Sequence, residues 1–78
     1  MSKSVIVYST PTCPWCIRAK QFLKENNIEF ENFDVSANPI AADEMKTKTG
    51  QMGVPVLDIG GEIIVGFDKE RIKLALGL

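Results

Sequence analysis

Residues 5–16 read VIVYSTPTCPWC, and this stretch decides the fold. Its first half is apolar and β-branched almost without interruption, which predicts a strand over Ser4–Tyr8 that is buried on both faces. Its second half holds the only two cysteines of the chain, with Pro14 and Trp15 between them. Because proline is well tolerated at the first helical position, a helix is expected to begin near Pro14. A cysteine pair at such a strand-to-helix junction indicates redox chemistry.

The spacing of Cys13 and Cys16 gives the two thiols different roles. With a helix starting at or near Cys13, both side chains lie on one face a single turn apart, close enough to form a disulfide. Cys13 then stands at the positive end of the helix, beside backbone N–H groups that lack an intrahelical partner and stabilise a thiolate. Cys16 lies one turn inside. We therefore predict that Cys13 attacks a disulfide and that Cys16 resolves the mixed disulfide.

Composition and charge exclude several classes of protein. The chain has 78 residues, of which 45% are hydrophobic and 24% charged, as expected for one small domain over residues 1–78. Its net charge of −1, without a Lys/Arg block, argues against nucleic-acid or membrane binding. Residues 1–4 show no signal-peptide core, and no apolar run approaches the roughly 20 residues that span a bilayer. We expect a cytoplasmic monomer, in which a permanent structural disulfide is uncommon.

The residue inventory also bears on rival roles for the cysteine pair. A structural zinc site needs four ligands, and a chain with two cysteines and no histidine reaches that number only by joining a second chain. The absence of histidine excludes a Cys–His hydrolase. Two inert, buried cysteines fit poorly with the spacing and with Pro14 between them. We therefore predict no metal ligands.

Beyond the cysteine pair, the sequence predicts the order β-α-β-α-β-β-α. The elements that follow the first strand are expected to be a helix to about Asn26, a strand at Ile28–Val35, a helix from the cap Asn38 to Thr49, strands at Val54–Ile59 and Glu62–Val65, and a last helix between the cap Asp68 and Gly77. The pair Gly60-Gly61 is a two-residue hairpin signal. A strand–helix–strand unit followed by a hairpin implies an α/β domain with a mixed four-stranded sheet flanked by three helices.

Apolar positions within these elements predict the core. The expected packing residues are Ile17, Phe22 and Leu23 in the first helix, Ile28, Phe30 and Phe33 in the second strand, and Ile72, Leu74, Ala75 and Leu76 in the last helix. The first helix should turn its charged residues to water, namely Arg18, Lys20 and Lys24.

Three segments together look like a glutaredoxin. They are residues 8–16 (YSTPTCPWC), residues 53–56 (GVPV) and residues 64–68 (IVGFD), which occur in the family's order across essentially the whole chain. The Cys-Pro-aromatic-Cys motif with a later Val-Pro is specific, whereas either alone is weaker. The chain most resembles the short bacterial glutaredoxin-like proteins, and it is also similar to the glutaredoxin-like hydrogen donors of ribonucleotide reductase.

The resemblance implies a thioredoxin fold and a dithiol–disulfide oxidoreductase without a bound cofactor, whose partners are disulfide-containing proteins or glutathione. It implies that Pro55 follows a cis peptide bond and faces the cysteines, and that the Val54 backbone pairs with the substrate. It also implies a glutathione carboxylate at the N-terminus of the last helix, at Gly66, Phe67 and Asp68, since a helix N-terminus is a ready anion site. Asp68 serves equally well as a plain N-cap, and Val54-Pro55 as the start of an edge strand.

Departures from the family pattern bear on the electron donor. Thr10 stands where dithiol glutaredoxins usually have a lysine, Gly53 where many have threonine, and Lys69 where an acidic residue is common. Lys69 removes one expected contact to the amino group of the substrate. The resemblance places the substrate or glutathione contacts at Thr10, Pro14, Trp15, Gly53, Val54, Pro55, Gly66, Phe67 and Asp68. Glutathione is the leading donor, and a flavoprotein thioredoxin reductase is the runner-up.

Two residues between the cysteines carry further expectations. Trp15 either offers a flat apolar surface to a partner or is a half-exposed aromatic with no special role. Pro14 stiffens the turn. Its rigidity counts against a third class of function, an iron–sulfur or metal carrier in which Cys13 of two chains bridges a cluster.

Overall fold

The computed structural model describes residues 4–78, and the expectation about the first residues of the chain therefore lies largely outside the described part. The predicted order of elements is confirmed. The strands and helices are β1 (Val5–Ser9), α1 (Pro14–Glu25), β2 (Glu31–Asp34), α2 (Pro39–Thr49), β3 (Val56–Ile59), β4 (Glu62–Val65) and α3 (Lys69–Leu76).

The four strands form one mixed sheet in the order β2-β1-β3-β4. Strand β1 pairs parallel with β2 and antiparallel with β3, and β3 pairs antiparallel with β4. Both faces of β1 are covered, since Val7 and Tyr8 point to opposite faces and neither is exposed. The almost continuous apolar run in this strand is thus explained by its central place in the sheet.

Each face of the sheet carries its own core. One core joins α1 and α3 to alternate strand residues and consists of Val5, Val7, Ala19, Phe22, Leu23, Leu57, Ile59, Ile64, Ile72 and Ala75. The other lies under α2 and consists of Tyr8, Ala41, Met45 and Val56. The three helices therefore flank the sheet on both sides, as predicted.

Three strands have bounds that differ from the prediction. Strand β1 covers Val5–Ser9 rather than Ser4–Tyr8. Strand β2 is shorter than Ile28–Val35, because its pairing with β1 begins only at Glu31 while Ile28 and Phe30 pack against the core as loop residues. Strand β3 begins at Val56 rather than Val54, since the proline before it has no N–H to donate to a ladder.

Two predicted core residues are exposed. Ile17 is 52% exposed and Leu74 is 76% exposed, so both predictions were wrong. The buried face of α1 is set by Cys16, Ala19 and Leu23, and Ile17 lies about 100° around the helix from Cys16. Leu74 lies about 200° from the buried Ile72 in the same way. Lys20, which was expected to face water, is half-buried.

The helix ends follow the sequence signals closely. The Asn38 side chain accepts a hydrogen bond from the Ala41 N–H at 3.1 Å, and α2 ends at Gly50 in the left-handed region with φ of 73°. The Asp68 carboxylate caps α3 in the same manner. The predicted caps of α2 and α3 are therefore found at the expected residues.

Lys48 ties α2 to the sheet. Its Nζ donates to Asp58 Oδ2 at 2.7 Å and to the Tyr8 hydroxyl at 2.8 Å, and that hydroxyl donates in turn to Glu44 Oε2 at 3.3 Å. Burial alone lowers the pKa of Lys48, but the hydrogen bonds to Asp58 and Tyr8 outweigh it, and the pKa is raised overall. This ammonium therefore stays charged where α2 meets β3.

Candidate functional site

The site lies at one end of the sheet, where the loop after β1 leads into α1. A groove of about 280 Å³ beside the cysteine pair is lined by Trp15, Val54, Pro55, Gly66 and Phe67. Three separate segments meet here because β1 ends where β3 begins, and β3 begins where β4 ends. The structure thus brings together one or more residues from each of the three motifs, while Thr10, Gly53 and Asp68 do not line the groove.

Cys13 is the half-exposed member of the pair. It is the N-cap of α1, with Pro14 following in the first turn, and its Sγ accepts the Cys16 backbone N–H at 3.2 Å. Its Sγ also lies 4.0 Å from the Val54 carbonyl oxygen across the groove. The helix N-terminus therefore points a hydrogen-bond donor at this sulfur, in the position where it favours negative charge.

Cys16 is completely buried, and both cysteines are free thiols. Burial is the largest cause that raises the pKa of Cys16, and the hydrogen bond to Cys13 adds to it, so that the pKa is about 11. The backbone of Thr10 and the charge of Lys20 oppose this shift only in part. At neutral pH Cys16 is thus a buried, protonated thiol, whereas Cys13 is half-exposed.

The segment opposite the cysteines is shaped by Pro55. The Val54-Pro55 peptide bond is cis, as the resemblance implied. The Pro55 carbonyl accepts the Gly66 N–H at 2.7 Å, and Gly66 has a φ of 85°, a conformation that favours glycine. This hydrogen bond joins the start of β3 to the end of β4, and both of its residues line the groove.

An aromatic cluster forms one wall of the groove. Trp15 is 55% exposed and its ring centre lies 6.5 Å from that of Phe67, which contacts the buried Phe22 edge-on at 6.0 Å. The Arg18 guanidinium lies 4.9 Å above the Trp15 ring, and the Lys69 ammonium lies 5.5 Å from the centre of the Phe22 ring. Trp15 thus presents a supported apolar surface beside Cys13.

Several residues that were expected to contact glutathione form hydrogen bonds within the chain instead. The Asp68 carboxylate accepts the Arg71 N–H at 3.2 Å and is therefore used as the cap of α3. Thr10 contributes its backbone carbonyl to the Cys13 N–H at 3.4 Å. The peptide groups of Gly53 both bond to the side chain of Gln51. Sequence reasoning missed Gln51, and its only signal was a long amide side chain two residues from a glycine.

Two kinds of feature are absent from residues 4–78. In that part of the chain no group of three or more Cys, Asp or Glu side chains is arranged to hold a metal ion. None of the helices α1, α2 and α3 has the length and apolar character needed to cross a membrane.

Comparison with known proteins gives a consistent picture. The glutaredoxin family model matches residues 5–64. The chain is 48% identical over 66 residues to an uncharacterised glutaredoxin-like 8.6 kDa protein of the rubredoxin operon of Clostridium pasteurianum, covering 85% of this chain and 88% of that one. It is 32% identical over 65 residues to glutaredoxin 3 of Escherichia coli strain K12, covering 83% and 78%.

Solved structures show the same relationship. The thioredoxin-like protein BC3987 superposes with a TM-score of 0.88 at 34% identity, covering 94% of this chain and all of that one. The glutaredoxin of Archaeoglobus fulgidus superposes with a TM-score of 0.85 at 26% identity, covering 94% and 85%. The predicted thioredoxin fold is therefore confirmed.

Proposed function

This chain belongs to the glutaredoxin family of thiol–disulfide oxidoreductases, and from that premise we propose that it reduces disulfides of proteins, or mixed disulfides with glutathione, through Cys13 and Cys16. The observation that carries the proposal is the unequal burial of the pair. Cys13 is half-exposed and its sulfur accepts an N–H at 3.2 Å, while Cys16 is completely buried. We extend the proposal to a single domain that acts as a cytoplasmic monomer.

The proposed cycle moves two electrons in two exchange steps. The Cys13 thiolate attacks a substrate disulfide, a mixed disulfide forms, and one substrate thiolate leaves. Cys16 then loses its proton and attacks the Cys13 sulfur, which releases the second substrate thiol and leaves a Cys13–Cys16 disulfide. Two glutathione molecules reduce this disulfide and are themselves oxidised to glutathione disulfide. The chain returns to the dithiol form.

The resolving step should be strongly pH-dependent. Its nucleophile is the Cys16 thiolate, and burial, the largest cause of the raised pKa of about 11 in the dithiol form, keeps this thiol protonated at neutral pH. Below that pKa the thiolate fraction rises about tenfold per pH unit. We expect the rate constant of resolution to rise about tenfold from pH 7 to pH 8, when stopped-flow mixing with a chromogenic mixed disulfide separates the two steps.

The Cys16→Ser variant provides the control for this experiment, because it retains only the first step. A rate of resolution that levels off near neutral pH would contradict the buried, protonated state of Cys16.

Glutathione is the proposed donor on the basis of family membership and of the groove beside Cys13. Gly66 and Phe67 line this groove, and the α3 N-terminus follows directly after them. The helix N-terminus supplies an anion site for a glutathione carboxylate. The backbone of Val54, whose carbonyl faces Cys13, offers a strand-like partner for the cysteinyl residue.

A thioredoxin reductase is the second candidate, and one observation favours it. Lys69 places a cation at the first turn of α3, where the amino group of a glutamyl residue would be repelled, and its ammonium lies near Phe22. The test is turnover of 2-hydroxyethyl disulfide with each reducing system. We expect glutathione with glutathione reductase to sustain turnover at least tenfold faster than thioredoxin reductase with NADPH; the reverse order would reject glutathione as donor.

An iron–sulfur carrier is the remaining alternative. The rigid Pro14 within the motif continues to count against it. A coloured dimer after anaerobic purification would be the sign of such a role.

A further inference from the structure

The side chain of Gln51 folds back onto the backbone of Gly53. Its Oε1 accepts the Gly53 N–H, and its Nε2 donates to the Gly53 carbonyl at 3.2 Å. One carboxamide therefore occupies both hydrogen-bonding groups of the residue that precedes Val54. A closed ring of two hydrogen bonds of this kind fixes the peptide planes on either side of Gly53.

This ring is anchored to the core through α2. The Thr49 hydroxyl accepts the Gln51 backbone N–H at 3.2 Å and lies 2.8 Å from the Met45 carbonyl oxygen. Met45 is completely buried beneath the sheet. A continuous series of contacts thus connects a fixed point of the second core to Val54, whose carbonyl is 4.0 Å from the Cys13 sulfur.

Glycine at position 53 leaves room for the Gln51 carboxamide, the flexible end of a side chain that an added Cβ would displace. A Cβ placed on Gly53 would lie 2.5 Å from Gln51 Oε1, far inside van der Waals contact. The φ of Gly53 is outside the left-handed region, so its backbone conformation does not itself demand glycine. Gly53 and Gln51 therefore form a unit, in which the missing side chain of one makes room for the carboxamide of the other.

We propose that Gln51 is a positioning residue for thiol–disulfide exchange with peptide substrates. It sets the Val54 backbone at the distance from Cys13 at which an extended peptide can pair with Val54 while its disulfide meets the Cys13 sulfur. Small displacements of two reacting groups lower the reaction rate by large factors, so a side chain that holds the Val54 backbone in place can control the rate. The inference rests on the proposed function, since it concerns substrates that are reduced at Cys13.

The test compares two substrates in four variants. The substrates are an extended peptide disulfide-linked to a chromogenic thiol, which can pair with Val54, and 2-hydroxyethyl disulfide, which has no peptide backbone. The variants are Gln51→Ala, Gly53→Ala, the double variant, and Gln21→Ala as a matched control on the exposed side of α1. Second-order rate constants are measured for the reduced proteins.

We expect Gln51→Ala to lower the rate with the peptide about tenfold and to leave the rate with 2-hydroxyethyl disulfide within about twofold. As a single variant, Gly53→Ala should lower the rate with the peptide by a similar factor. In the double variant it should cause no further loss, because the Gln51 carboxamide that the added methyl group would displace is absent. Gln21→Ala should match the unchanged protein.

Three results would overturn the inference. They are an unchanged peptide rate in Gln51→Ala, an equal loss with both substrates, and a Gly53→Ala effect that persists undiminished in the double variant. Failure of the proposed function has a different signature, because the unchanged protein would then reduce neither substrate.

Discussion

Replacement of Cys13 by serine is expected to reduce disulfide turnover to the uncatalysed background. Serine has no sulfur with which to form a mixed disulfide, so the first exchange step of the proposed cycle is lost. Removal of a covalent nucleophile typically costs a factor of about 10³ or more in rate. The measurement is turnover of 2-hydroxyethyl disulfide, with the fold of the variant checked by circular dichroism.

Replacement of Cys16 by serine should have a different outcome. The first exchange at Cys13 proceeds, but no second thiol is present to release the partner, and a one-to-one mixed disulfide accumulates. Intact-mass spectrometry after mixing with a peptide disulfide detects this species directly. Equal residual activity in Cys13→Ser and Cys16→Ser, or accumulation of the adduct on position 16 of Cys13→Ser, would contradict the assigned roles.

Replacement of Leu23 by alanine is expected to have the largest effect on stability. Leu23 is completely buried in the core between α1 and the sheet. Loss of its side chain removes apolar contacts and leaves a cavity, which together cost about 2–5 kcal/mol in the free energy of unfolding. For a small domain this is a large part of a total of roughly 5–15 kcal/mol. Urea unfolding followed by Trp15 fluorescence gives the change.

Leu74→Ala is the matched control for Leu23→Ala. The substitution is the same and the residue is also helical, but Leu74 is 76% exposed. We expect its free energy of unfolding to stay within about 0.5 kcal/mol of the unchanged protein. A loss of 2 kcal/mol or more at Leu74 would show that the outer face of α3 is covered.

Local sequence signals predicted most of the architecture. The caps Asn38 and Asp68, Pro14 at the start of α1 and the pair Gly60-Gly61 each act through their own backbone neighbourhood. A property that depends on a few adjacent residues can be inferred without the rest of the fold. The element order and the place of Cys13 at a helix N-terminus followed from such signals.

The errors have a common physical origin in tertiary contacts. Ile17 and Leu74 are as apolar as the true core residues, and only the side on which each helix meets the sheet decides which of them is buried. The late start of β2 at Glu31 depends likewise on its register with β1. Gln51 was missed because its role arises from a side chain folding back onto Gly53, which no periodicity encodes.

The position of Cys16 directly beneath Cys13 has a consequence for the lifetime of the covalent complex with a partner. Cys13 is the N-cap of α1 and Cys16 lies in its first turn, so resolution in the proposed cycle is an intramolecular reaction. The effective concentration of the attacking group in a well-oriented intramolecular reaction can reach about 10⁵–10⁸ M, far above that of any dissolved thiol. The lifetime of the mixed disulfide with a partner is therefore set by the rate at which Cys16 attacks within the chain. It does not depend on the concentration of thiols in solution.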